Sequence, residues 1–187
     1  MRAFIAIKLP ANIQDSLEKI QNQLKSALPK VNWVKPTNLH LSLKFLGDIS
    51  LEQLTFTQQA ISRISKTISP FEIKLETLGV FPDCRQARII WLGTGQIPPE
   101  LKQLVDQLEN ALIKTGIPQE QHAFQTHITL ARIKGPLRPA DLEKWFDKIK
   151  TDLLNANLSF TVSGITLFQS VLGPGGSTYS IINEADF

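Results

Sequence analysis

Two short stretches of this chain, His40-Leu41-Ser42-Leu43 and His127-Ile128-Thr129-Leu130, repeat one order of residue types: histidine, aliphatic, hydroxyl, leucine. They lie close to half the chain apart. In an extended strand successive side chains point to opposite faces, so each stretch sets its imidazole and its hydroxyl on one face and two aliphatics on the other. If the fold brings the stretches together, one site receives two imidazoles and two hydroxyls. The unperturbed pKa of imidazole, about 6.5, lies closest to neutrality among side chains, so one ring can be protonated while its partner is not. That division suits displacement at phosphorus. The neutral ring takes a proton from attacking water and the charged ring gives one to the leaving oxygen, each role contributing roughly 10² to 10⁴ in rate. The hydroxyls would hold the non-bridging oxygens. Few other candidate ligands stand near either motif, so the chemistry needs no metal and no cofactor.

The elements that must position these residues are marked by apolar spacing. Phe4 to Leu9 reads as a buried strand, and Ile13, Leu17, Ile20 and Leu24 then recur at helical steps until Pro29. Val31 to Val34 carries Trp33. Leu39, Leu41, Leu43 and Phe45 alternate with His40, Ser42 and Lys44, a half-buried strand. By parity Lys44 joins the histidine face, as a cation near the phosphate or as a solvated lysine. A second helix follows to Ser69-Pro70, then a strand from Phe71 to Leu78, a loop from Gly79 to Arg85, and a strand from Ala87 to Leu92. Leu101, Leu104, Val105, Leu108 and Leu112 mark a third helix, stopped by Gly116. The second motif strand runs from Thr126 to Arg132. Pro139 opens a fourth helix, and two strands, Phe160 to Phe168 and Tyr179 to Ile182, close the chain around a Gly173-Pro174-Gly175-Gly176 turn. Strand, helix, motif strand thus occurs twice. This predicts two similar lobes about an approximate two-fold, each turning one motif strand to a central cleft. No linker divides them, so residues 1–187 read as a single bilobal domain.

Composition narrows the class. The 187 residues are 42% hydrophobic and 20% charged, ordinary for a soluble globular domain. A net charge of +3 permits a phosphate or nucleic-acid partner without demanding one. One cysteine, Cys84, excludes an internal disulfide and has no neighbouring histidine to activate it. No apolar run approaches the roughly 18 residues needed to cross a bilayer, and a cytoplasmic monomer is the expectation.

The residues around the motifs carry a specific resemblance. Arg2-Ala3-Phe4-Ile5-Ala6-Ile7, the segment from Trp33 to Gly47, Gly79-Val80-Phe81-Pro82, Trp91-Leu92-Gly93 and His127-Ile128-Thr129-Leu130-Ala131-Arg132 resemble the RNA 2′,3′-cyclic phosphodiesterases of the 2H phosphoesterase superfamily, also described as 2′,5′ RNA ligases. The resemblance implies an α+β fold with two antiparallel sheets facing a central cleft and helices packed outside. It implies hydrolysis of a 2′,3′-cyclic phosphate, on RNA 3′ ends or small nucleotides, to a 2′-phosphomonoester. His40 would protonate the leaving 3′ oxygen, His127 would be the base for water, and Ser42 and Thr129 would bind the phosphate. Phe45 and Arg132, each five residues after its histidine, would stack on the base. Strict alternation puts both on the wrong face, so the strands must end or bulge there. Two positions depart from the family pattern: Thr126 where proline is usual, and His122 where arginine is frequent.

Three other readings compete. An RNA-end binding module would keep the cleft without turnover, and ligation of 2′,5′ linkages would run the same site backwards. A metal hydrolase would need three protein ligands and their supporting partners. Neither motif supplies a nearby Asp or Glu, which ranks this reading last.

Overall fold

Among the described residues the apolar spacing becomes four α-helices packed on a large sheet. The computed structural model describes residues 1–25, 28, 31–135, 137–174 and 176–187, with residue 154 described by its backbone alone. Pro29 and Gly175, expected at a helix end and in a turn, lie outside the described residues. The first half of the chain contains β1 (Arg2–Lys8), α1 (Ala11–Lys25), β2 (Val31–Trp33), β3 (His40–Asp48), α2 (Leu51–Ile64), β4 (Phe71–Leu75) and β5 (Thr77–Phe81). The second contains β6 (Ile89–Gly93), α3 (Pro99–Leu112), β7 (Ile128–Ile133), α4 (Pro139–Ala156), β8 (Leu158–Val162), β9 (Gly164–Gly173) and β10 (Gly176–Asp186). One buried cluster joins the apolar stripes of the helices to Ile5, Ile7, Leu41, Leu43, Ile128 and Leu130 of the sheet. Gly116 ends the third helical segment in the left-handed conformation, at φ 78°, as the spacing predicts.

The fold is α+β with antiparallel pairing throughout the described ladders. Strands run in the order β10-β9-β1-β3-β7-β6-β5, with β2 also on β7, and β4 and β8 form a separate two-stranded ribbon. The two lobe sheets meet at one residue pair, Leu41 opposite Ile128. These residues follow the two histidines, so this pair marks the approximate two-fold. Each half also lends its closing strands to the other: β5 pairs with β6, β9 with β1, and β4 with β8.

Four stretches differ from the sequence expectation. Phe71 to Leu78 is not one strand. The chain leaves the ribbon at Glu76, whose N–H donates to the Gly93 carbonyl, and joins the large sheet as β5. Gly79 to Phe81, expected in a loop, is therefore strand. Its glycine is needed because the Trp91 ring lies over it and leaves no room for a Cβ. Phe160 to Phe168 likewise divides between β8 in the ribbon and β9 in the large sheet, and the last strand is longer than Tyr179 to Ile182.

Candidate active site

The Leu41–Ile128 pair sets the geometry of the motifs. Continuing its antiparallel register by one residue either way puts His40 across from Thr129 and Ser42 across from His127, with all four side chains on the face away from the aliphatics. The strands part on either side of that one pair; Ser42 and His127 line one recess there, and His40 lines another. Ser42 is buried, and His40, His127 and Thr129 are half-buried.

The backbone holds both rings the same way. Nδ1–H of His40 donates to the Asn38 carbonyl at 2.7 Å, and Nδ1–H of His127 donates to the Gln125 carbonyl at 2.8 Å. A carbonyl can only accept, so Nδ1 carries a proton on each ring and Nε2 is left to exchange protons in the cleft. In both cases the acceptor lies two residues before the histidine. His40 is held below the usual histidine range, chiefly by burial. Its bond to Asn38 opposes that shift, and repulsion from a protonated His127 and from Arg132 adds to it. The two motifs are therefore close enough to sense each other's charge.

Matching bulges bring up the residues five positions on. Along β1, Ala6 faces Ser42 and Ile5 faces Lys44, so Leu43 is the extra residue. Along β6, Trp91 faces Thr129 and Ile90 faces Ala131, so Leu130 is the extra residue. One inserted residue reverses the alternation, and Phe45 and Arg132 return to the histidine face. The exposed Phe45 packs on Phe4 at 5.9 Å between ring centroids. Phe4, Phe45, Arg132 and Tyr179 wall one recess.

The same bulge removes Lys44 from that face. Its side chain is 3% exposed, and its ammonium pairs with Glu109 at 2.8 Å and donates to the Pro118 carbonyl at 2.7 Å. Neither the free cation expected by parity nor a solvated lysine is found.

Aromatic packing around the histidines went largely unread in the sequence. Phe4 lies 4.8 Å from His40, and Tyr179 meets it edge-on at 5.3 Å. Phe81 meets His127 edge-on at 5.3 Å and stacks on Trp91 at 5.1 Å. Phe4 lies in an uninterrupted buried apolar run from Ala3 to Ile7, so the pattern of β1 does not single it out. Phe81 carried no signal either, because the flanking glycine and proline suggest a loop. His122 is an exposed loop residue in the recess that also holds Ser42 and His127. Cys84 is half-buried and free. Among the described residues no group of three His, Cys, Asp or Glu gathers as a metal site, and no helix is long and apolar enough to cross a membrane.

Comparison with known proteins agrees with this duplicated geometry. The family described as LigT like Phosphoesterase matches the chain twice, over residues 7–91 and 92–179. An RNA 2′,3′-cyclic phosphodiesterase from Methanothermobacter thermautotrophicus is 33% identical, covering 96% of this chain and 95% of that protein. One of the same name from Aquifex aeolicus is 31% identical, covering 98% and 96%. Among solved structures, a Thermus thermophilus protein superimposes with a TM-score of 0.83 at 25% identity, covering 100% of this chain and 97% of that one. The LigT protein of E. coli, solved with 3′-AMP, gives 0.77 at 27% identity, covering 99% and 97%.

Proposed function

This chain belongs to the LigT-like phosphoesterase family, and on that premise we propose that its cleft hydrolyses RNA or nucleotide 2′,3′-cyclic phosphates to 2′-phosphomonoesters without a metal. The observation that carries the reading is the equivalence of the two histidines, which flank one pseudo-symmetric strand pair with Nδ1–H tied to the backbone and Nε2 left to the cleft. Nε2 of His127 takes a proton from water as the water oxygen bonds to phosphorus. The bond from phosphorus to the 3′ oxygen breaks, and Nε2–H of His40 protonates that oxygen. The Ser42 and Thr129 hydroxyls donate to the non-bridging oxygens, and Phe45 and Arg132 hold the terminal base. Burial and the neighbouring Arg132 disfavour a proton on His40 before substrate binds. An anionic phosphate between the motifs offsets that repulsion, so His40 gains its proton as substrate arrives.

The relatives' shared name and the 3′-AMP bound to the E. coli protein support a nucleotide substrate. We take residues 1–187 as one bilobal domain because the halves exchange strands. We take the working unit as a monomer because one chain supplies both histidines, and its place as the cytoplasm, where RNA ends are met. The test is to identify the product from RNA ending in a 2′,3′-cyclic phosphate. A 2′-monoester is expected, a 3′-monoester would overturn the choice of leaving oxygen, and binding without product would leave an RNA-end binding module.

A further inference from the structure

Phe45 stands between two recesses. On one side it joins Phe4, Arg132 and Tyr179 around a space of about 160 Å³. On the other it joins Phe81, Ile89 and Phe124 around a larger one of about 640 Å³, which opens onto Ser42 and His127. The larger volume is typical of small-molecule sites, roughly 300 to 1,000 Å³. Its walls are mainly apolar, with the exposed side chains of Arg88 and His122 among them and Glu120 as the one carboxylate. Hydrolysis of a terminal cyclic phosphate needs no more than a water there, so the proposed reaction leaves this space unused.

We infer that the larger recess is a second nucleotide subsite, which takes the nucleotide preceding the cyclic-phosphate terminus of an RNA strand. The inference rests on the reading of the cleft as a cyclic phosphodiesterase, which puts the terminal base against Phe45 and Arg132. A strand continuing past that base meets the opposite side of Phe45, so one exposed ring separates two successive bases. Phe124 offers the second base an apolar surface, and the Arg88 guanidinium offers the linking phosphate a cation with fixed donors. The apolar walls match a base and a sugar better than a bare phosphate.

The test compares kcat/KM for a nucleoside 2′,3′-cyclic phosphate with that for a dinucleotide ending in the same group. The wild-type protein is expected to favour the dinucleotide by roughly 10-fold to 100-fold, the range expected from stacking one base. Phe124→Ala and the charge reversal Arg88→Glu should each remove most of that preference and leave the mononucleotide rate unchanged. Arg88 is exposed, so its variant tests the subsite even if Phe124→Ala disturbs packing. Equal wild-type rates on the two substrates, or variants that slow both alike, would overturn the subsite while leaving the proposed activity standing. Failure of the wild-type protein on both substrates would overturn that activity, and the subsite with it.

Discussion

A histidine side chain can present either ring nitrogen to a site, and here the backbone decides. Both motif rings donate Nδ1–H to the carbonyl two residues earlier, so both offer Nε2 to the cleft. Burial, and after it repulsion from a protonated His127 and from Arg132, holds His40 below the usual range. Its ring resonances should therefore titrate below about 6.5 in the free protein, and a bound nucleoside 2′-monophosphate should raise the midpoint. An NMR titration checks both, and a free-protein midpoint at or above the ordinary value would contradict the burial. Because the folded value is the lower one, the unfolded chain takes up the proton first, so His40 costs nothing above about pH 6.5 and destabilises the fold as pH falls below it. Thr126 makes a separate prediction. It is 2% exposed, and its hydroxyl has no partner among the described residues. Thr126→Val removes that stranded group at similar shape and should stabilise by about 1 kcal/mol in urea unfolding. A loss of stability would mean that the hydroxyl is satisfied.

Strands carry the site, and their irregularities fix which residues reach it. The histidines and hydroxyls were legible in the sequence because alternation within three residues needs no partner strand. Phe45 and Arg132 were legible only as a condition, since the bulges at Leu43 and Leu130 are set by pairing with β1 and β6. Gln21 of α1 helps hold the second bulge, donating to the Val34 and Leu130 carbonyls at 2.9 Å each. Lys44 was misplaced for the same reason: the bulge turns it inward, where it ties β3 of the first half to α3 of the second through Glu109. Lys44→Ala leaves that carboxylate poorly solvated and unpaired, and should cost about 3 to 5 kcal/mol. The pair Lys44→Met with Glu109→Leu should recover most of the loss. Urea midpoints of the three variants decide it, and a mild effect of Lys44→Ala would show that the pair is solvated in solution.

For the whole molecule, the repeated element order made the duplication readable, and the family's two successive matches follow it. Exchange of the closing strands was not readable. Apolar alternation runs with little interruption past Glu76 and Ser163, and only distant partners decide that β4 and β8 leave the large sheet while β5 and β9 join it. With β5 completing the second lobe and β9 the first, neither half keeps its own sheet if the other unfolds. Chemical unfolding should therefore be a single transition, coincident by fluorescence and circular dichroism, and two separated transitions would contradict the single domain. The cleft exists because these halves meet at one pair of residues, and the proposed mechanism needs both histidines to work there on one phosphate. The direct measurement is single-turnover hydrolysis of RNA ending in a 2′,3′-cyclic phosphate, in excess chelator, by the wild-type protein, His40→Ala and His127→Ala. That mechanism requires the wild-type protein to keep its rate in chelator and each variant to lose roughly 10² to 10⁴. A wild-type rate abolished by chelator, or a variant that turns over as fast as the wild type, would contradict it.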